Sequence, residues 1–197
     1  MRQLAGIAFF FFTALVCAKA QHNRLEVELA EKLGLCTSQK GPAANANSTT
    51  FPCNQCKFNF ISLSPGATPD QLFFLEIQSP NHCGSGGCTG TVYRKRAGFY
   101  EEVNNFFGFF EKTIPQPGKQ QTPDLVYIHT EYPQHDFDNN GSRDPATLRV
   151  RYRWNNSHQT YEVLDILSIE ANGKPISLDS WRKKLLDEFR QKSPWMY

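Results

Sequence analysis

The sequence lacks the short motifs that mark several common enzyme classes. It contains no glycine-rich phosphate loop and no H-E-x-x-H zinc motif. It also has no G-x-S-x-G elbow, and no histidine stands with a serine or cysteine in a recognisable nucleophile motif. The histidines are His22, His82, His129, His135 and His158. These absences favour a non-catalytic protein.

Long apolar runs are also scarce. The one such run, residues 4–16, is shorter than the roughly 20 residues that a membrane-spanning helix needs. Arg2 precedes it, and Ala18-Lys19-Ala20 matches an A-x-A cleavage site. We predict that residues 1–20 are a signal peptide and that residues 21–197 form a single exported domain. That domain would be periplasmic or extracellular, without a membrane span.

The predicted mature chain has no excess of either charge. The whole sequence has 21 Lys+Arg and 19 Asp+Glu. Residues 1–20 contain Arg2, Lys19 and no acid, so their removal leaves 19 residues of each sign. A nucleic-acid binder usually carries a basic excess that neutralises phosphates. We therefore do not expect nucleic acid to be the partner; a protein or another envelope component is the expected one.

Glycine is concentrated in one stretch, C-G-S-G-G-C at residues 83–88. Residues 71–78 before it and 89–95 after it both have the composition of strands. The glycines supply the positive φ angles that a tight reversal needs. Two cysteines that frame such a reversal can close a small ring. We predict a β-hairpin that is clamped by a Cys83–Cys88 disulfide.

This motif resembles a pattern found in small exported bacterial proteins of poorly known function. In that pattern a "y-x-r" step and a "G-x-Y" turn follow, matched here by residues 92–94 and 98–100. An aspartate-led strand and a "yrW-x-x-x-x-Y" hairpin come later, matched by residues 123–126 and 152–161. The resemblance covers roughly residues 71–165. It implies export and a β architecture, and it brings no catalytic residue with it.

Three more cysteines, Cys36, Cys53 and Cys56, make the mature total odd. Exported domains commonly pair their cysteines. We therefore predict that Cys36 bonds to Cys53 or Cys56, which would leave one thiol. The alternative is a Cys53–Cys56 bond, because C-x-x-C spacing supports thiol–disulfide exchange. The strand-like alternation of residues 57–61 does not provide the helix N-terminus that favours such chemistry.

Helical periodicity is confined to the two ends of the chain. Leucines recur every four residues within 22–35, with Gly34 as the expected stop, and apolar residues recur at helical spacing within 178–189. Between these ends the patterns predict strands. The expected fold is α+β: a mostly antiparallel curved sheet or partial barrel, with N- and C-terminal helices and disulfide staples.

Phenylalanine is abundant, with 16 residues. Residues 99–103 and 106–112 are predicted to form two separate strands. We expect Phe106, Phe107, Phe109 and Phe110 to fill the core. The alternative is an exposed aromatic patch, which would mark a binding surface.

Residues 136–144, D-F-D-N-N-G-S-R-D, resemble the start of a calcium loop. Oxygen ligands would be Asp136, Asp138, Asn140 and Asp144, with glycine at the sixth position. Thr147 stands at the twelfth position, where the loop requires a bidentate Glu. Because Asn, Asp and Gly also favour turns, we prefer a polar turn without metal. No other cofactor is expected.

The stretch 148–154 alternates strictly between apolar residues and arginines. Arg149, Arg151 and Arg153 are therefore predicted to share one face of a strand. Guanidinium groups suit carboxylates and phosphates, so this face is the candidate binding site. The preferred alternative is that nearby acids such as Glu162 neutralise it.

The leading functional hypothesis is a non-catalytic exported module that binds or inhibits an enzyme or an envelope component. The alternative is an exported thiol–disulfide protein that uses Cys53 and Cys56. A third hypothesis is a calcium-stabilised structural domain.

Overall fold

The computed structural model describes residues 26–37, 51–64, 71–79, 82–118, 121–130, 135–139, 141–143 and 145–191. The predicted signal peptide lies outside the described residues. The chain divides into two compact units, of which one ends at Phe58 and the other begins at Asn59.

The first unit contains a helix, α1, described over residues 26–32. Its end is a Schellman cap, in which Gly34 N–H donates to the Glu31 carbonyl at 3.0 Å and Leu35 N–H donates to the Ala30 carbonyl at 2.9 Å. Gly34 has the positive φ of 72° that this cap requires. Two short parallel strands, β1 (Cys36–Thr37) and β2 (Phe51–Pro52), and a 3-10 helix (Cys53–Gln55) follow.

The second unit is built on a sheet whose first strand contains the boundary between the units. The strands are β3 (Lys57–Ser62), β4 (Gln71–Gln78), β5 (Cys83–Gly84), β6 (Gly87–Arg96), β7 (Phe99–Ile114), β8 (Asp124–His129), β9 (Ala146–Asn155), β10 (Thr160–Ala171) and β11 (Lys174–Ile176). Their order in the sheet is β11-β10-β9-β8-β7-β6-β4-β3, with β5 paired to β6. Pairing from β4 to β11 is antiparallel.

Strand β7 is continuous, so the prediction of two separate strands in this region is wrong. Its first part, from Phe99 to Gly108, pairs with β6, and the part from Phe109 to Ile114 pairs with β8. Register shifts at Val92/Tyr93 and Phe110/Lys112 interrupt the two ladders. Bulges of this kind bend a sheet. The predicted curved antiparallel sheet is confirmed, and the sheet does not close.

The curvature brings the start of β10 against the middle of β7, and Asn104 joins them. The Asn104 amide donates to the Tyr161 carbonyl at 3.1 Å and accepts from Tyr161 N–H at 2.7 Å and from the Thr160 hydroxyl at 3.0 Å. Asn104 is 1% exposed. Its amide thus replaces backbone pairing between two strands that are not sheet neighbours.

Arg94 makes a second link across the bend. It is buried, donates to the Gln159 carbonyl at 3.0 Å and lies 5.6 Å from the centroid of the Trp154 ring. A guanidinium over an indole is a favourable cation–π contact.

The C-terminal helix, α2 (Arg182–Gln191), packs its apolar side on this sheet. Leu185 and Phe189 are its buried residues and belong to the main core. That core includes Phe74, Phe106, Leu125, Tyr127, Leu148, Val150, Tyr152 and Ile166. Among the described residues, neither helix has the length and apolar character needed to cross a membrane.

Candidate binding surface

The glycine-rich hairpin has the predicted disulfide. Cys83 and Cys88 are directly opposite in the β5–β6 pair and are bonded to each other. Gly87 has a φ of +129°, and a Cβ atom there would lie 2.2 Å from the backbone carbon of Gly108. Only glycine permits this approach, because a Cβ atom would collide with the backbone of Gly108, which cannot move aside as a flexible side chain could. The clamped hairpin therefore sits directly on β7.

The hairpin tip lies beside an aromatic side chain on the outer face of the sheet. A Cβ atom at Gly86 would be 3.0 Å from Cε1 of Phe107. Phe107 is 38% exposed and Phe109 is 43% exposed. Phe106 is buried and Phe110 is half-buried against the core. The expectation that all four phenylalanines fill the core is thus wrong for Phe107 and Phe109, because alternation along β7 turns them outward.

The outward aromatics continue into the predicted arginine strand. Phe109 is opposite Ile128 of β8, and Ile128 is opposite Arg149 of β9, so the three form one cross-strand row. Arg149, Arg151 and Arg153 share this outer face, whereas Leu148, Val150 and Tyr152 are buried on the inner one. The predicted alternation of β9 is confirmed. We call Phe107, Phe109, Lys112, Ile128, Arg149, Arg151 and Arg153 the aromatic–arginine face.

Two carboxylates hold the three arginines in place. Arg149 binds Glu111 through two guanidinium nitrogens. This hydrogen bonding lowers the pKa of Glu111 and raises the pKa of Arg149. Lys112 also lies 3.5 Å from Glu111.

Asp124 serves the other two arginines. Arg151 Nε donates to it at 2.5 Å, and Arg153 donates through Nε and a terminal nitrogen, each at 3.0 Å. The hydrogen bond to Asp124 raises the pKa of Arg153. Each of these arginines is therefore paired with a neighbouring acid, as the preferred interpretation of the sequence had it, although Arg151 and Arg153 share one carboxylate.

The acid suggested for that role, Glu162, is not the one that the structure shows. Glu162 is opposite Arg153 in the ladder, but it accepts hydrogen bonds from Asn155 at 2.9 Å and from His158. These hydrogen bonds lower the pKa of Glu162, and the bond from Asn155 has the larger effect. Asp124 and Glu111 come from strands earlier in the chain, and no local pattern connects them to the arginines.

Within the described residues, the ion pairs of this face share an asymmetry in exposure. The Asp124 side chain is 0% exposed, whereas those of Arg151 and Arg153 are 26% and 44% exposed. Glu111 is 25% exposed, against 35% for Arg149 and 51% for Lys112. The cations therefore lie above the carboxylates, and the exposed part of this face is cationic and aromatic.

The interior of the sheet holds a histidine that sequence patterns did not single out. His129 Nδ1 lies 2.9 Å from the Phe107 carbonyl, and Nε2 lies 2.8 Å from the Tyr152 hydroxyl. A carbonyl only accepts, so Nδ1 donates to it and Nε2 accepts from Tyr152. Burial lowers the pKa of His129 to about 4. Both nitrogens of this neutral ring are engaged in positioning β7 and β9.

The candidate calcium segment is described only in part. Asp136 accepts from Gly141 N–H at 2.8 Å, and Asp138 accepts from the Asn172 side chain at 3.0 Å. Asn140 and Asp144 lie outside the described residues. The part of the chain that the structure describes contains no group of three or more His, Cys, Asp or Glu residues placed to hold a metal. The Asp136 contact is the type of bond that a polar turn makes.

The N-terminal cysteines form a staple within the first unit. Cys36 is bonded to Cys53, with Cα atoms 5.0 Å apart. Cys56 belongs to neither disulfide, and its Sγ lies 3.7 Å from the Pro52 carbonyl. The sequence left the partner of Cys36 open, and the structure pairs it with Cys53, the first cysteine of C-x-x-C.

No family model, curated protein or solved structure matches this chain. The resemblance based on the glycine–cysteine motif therefore stays a prediction, and the function must be argued from the surface itself.

Proposed function

We propose that this protein is a non-catalytic exported module that binds, and in binding masks or inhibits, a protein or another component of the cell envelope. The observation that carries the proposal is the aromatic–arginine face. Interface centres are enriched in aromatic residues and arginine, and most binding energy comes from a few such side chains. Here two exposed phenylalanines and three arginines lie together on one rigid sheet.

The rigidity of the face supports binding. Its arginines are held by ion pairs, and its strands belong to a continuous antiparallel sheet. Side chains that are already ordered lose less conformational entropy when a partner arrives. The hairpin disulfide beside Phe107 restrains the neighbouring turn in the same way.

Export is the second part of the proposal. Two disulfides are compatible with an oxidising compartment, where such bonds form and persist. The predicted signal peptide at residues 1–20 would deliver the chain there, with the periplasm as the proposed location. Detection of a chain that begins at Gln21 in a periplasmic fraction would support this part. Retention of the full-length chain in the cytoplasm would contradict it.

Removing the aromatic anchors tests the binding proposal. Mature protein immobilised through its C-terminus should retain a reproducible component from native envelope extract, and Phe107→Ser with Phe109→Ser should lower that retention at least tenfold. Phe99→Ser is the matched control, because Phe99 is 79% exposed but lies at the start of β7, away from this face. Equal retention by both variants would rule out this face, and no retention by the unaltered protein would contradict a binding function.

Replacing the three arginines together would be a weaker test of this face. Arg151 and Arg153 both neutralise Asp124, which is fully buried. Removing them leaves a buried carboxylate without a cation, which is strongly destabilising. A loss of binding in that variant would not distinguish recognition from unfolding.

A thiol–disulfide protein is the second proposal, and one observation favours keeping it. Cys56 stands three positions after the disulfide-bonded Cys53, in the C-x-x-C spacing, and its N–H donates to the Cys53 carbonyl at 3.2 Å. Reduction of insulin disulfides by the protein, abolished by Cys56→Ser, would support it. A mature protein without such activity would contradict it.

A further inference from the structure

We propose that the aromatic–arginine face recognises an acidic polypeptide segment that also carries an apolar side chain. This inference rests on the proposed binding function and specifies the chemistry of the partner. Two properties of the face support it: its charge balance and the position of its aromatic end.

The face has more cations than carboxylates. Lys112, Arg149, Arg151 and Arg153 share Glu111 and Asp124, which leaves an excess of two positive charges within the aromatic–arginine face itself. On β10, Asp165 is opposite Arg151 but lies 3.3 Å from Arg182, whereas Glu162, opposite Arg153, and Glu170, opposite Thr147, are the acids that border this face and reduce its excess. Because the carboxylates are the more buried members, the exposed edges of the guanidinium groups are available to new acceptors.

Phe109, the aromatic residue nearest to the arginines, lies at a fixed distance from them. Phe109 and Arg149 are two strands apart, about 10 Å at the usual strand spacing. Arg149 and Arg153 are about 13 Å apart along β9 at the usual rise per residue. Glutamates at alternate positions of an extended segment match the arginine spacing along β9. If the segment then turns across β8 after Arg149, its terminal apolar residue reaches Ile128 and Phe109.

The same observations argue against two other occupants. A phosphate polymer is disfavoured because the predicted mature chain has 19 residues of each charge and thus little long-range attraction for a polyanion. A second copy bound through the same face is disfavoured because an isologous interface buries the same patch of both subunits, so the positive excess of the face is doubled and not compensated.

Amide chemical shifts of the ¹⁵N-labelled mature protein provide the test. The probe is a seven-residue peptide with glutamate at alternate positions, serine between them and leucine at the end; the control has lysine in place of glutamate. We expect the acidic peptide to shift amides of β7, β8 and β9, and the lysine peptide to have no effect. Raising salt from about 50 to about 200 mM should weaken binding severalfold, since exposed charges are screened.

Two variants extend the test. Lys112→Glu should weaken the acidic peptide about fivefold, the effect of roughly 1 kcal/mol at an exposed cation. Phe107→Ser with Phe109→Ser should weaken it at least as much, whereas Phe99→Ser should not.

Equal binding of the two peptides, or shifts of these amides by polyphosphate but not by the acidic peptide, would overturn the acidic-segment inference. So would an absence of shifts on this face. If envelope retention still depended on Phe107 and Phe109, the binding function would stand without this partner class. If neither the acidic peptide nor an envelope component bound through this face, the proposed binding function would be contradicted as well.

Discussion

Replacing Asn104 with alanine should destabilise the protein far more than replacing the adjacent Asn105. Asn104 is 1% exposed and makes three hydrogen bonds to Thr160 and Tyr161. The alanine variant leaves the buried N–H and carbonyl of Tyr161 without these partners. Each unsatisfied backbone group costs about 1–3 kcal/mol, so for two groups we expect the free energy of unfolding to fall by about 2–6 kcal/mol.

Asn105→Ala is the matched control. The Asn105 side chain donates to Glu102 across an exposed contact of 3.4 Å. Exposed substitutions of this kind usually change stability by no more than about 0.5 kcal/mol. The same residue type at the next position thus separates loss of the β7–β10 link from any general effect of removing an amide.

Thermal and urea unfolding followed by circular dichroism measure the difference. At about 2–4 °C per kcal/mol for a chain of this size, the Tm of the Asn104→Ala variant should fall by about 4–24 °C. Exchange of the Tyr161 amide hydrogen should accelerate more than exchange in β4. If the two asparagine variants unfold within about 0.5 kcal/mol of each other, Asn104 does not join the strands as described.

Three further predictions concern protons, cysteines and calcium. The pKa of His129 is lowered to about 4 in the folded protein from 6.5, so the unfolded chain takes up a proton first as the pH falls. The contribution of His129 to the free energy of unfolding should therefore decrease between about pH 6.5 and pH 4 and stay constant above that range. In urea titrations His129→Gln should show a smaller decrease over this range, and an unchanged dependence on pH would contradict the assignment. Cys83→Ser with Cys88→Ser should lower the free energy of unfolding by about 2 kcal/mol, as expected for a small ring, without changing the far-ultraviolet spectrum; loss of that spectrum would show that the fold requires the bond. Millimolar calcium should leave the Tm within about 1 °C, because Asp136 and Asp138 already accept hydrogen bonds; a rise of several degrees that Asp136→Ala removes would restore the calcium hypothesis.

The sequence allowed the elements with a regular period to be predicted. Strict alternation at 148–154 corresponds to a strand with a buried face and an arginine face. The glycine–cysteine stretch corresponds to a disulfide-clamped hairpin, and apolar spacing near the C-terminus corresponds to α2, which begins at Arg182. In each case neighbouring residues carry the whole signal, so no knowledge of distant contacts is needed.

The remaining features depend on residues that are far apart in the chain. Composition alone suggested that Phe107 and Phe109 are core residues, but a residue's face depends on the register of β7 with its two partners. The acids that neutralise the arginines come from β7 and β8, 27 to 38 positions away. Alternation predicts which residues share a face, and it does not predict which strand lies beside them.

The consecutive pairing of the strands from β6 to β11 has a consequence for the folding pathway. From β6 to β11 each strand pairs with the next one along the chain, so most of the ladder forms from contacts close in sequence, which favours rapid folding for a β protein. The Asn104–Tyr161 link joins residues 57 positions apart and requires the bend to be complete. We expect it to form after the main kinetic barrier, so that Asn104→Ala leaves the refolding rate nearly unchanged and accelerates unfolding.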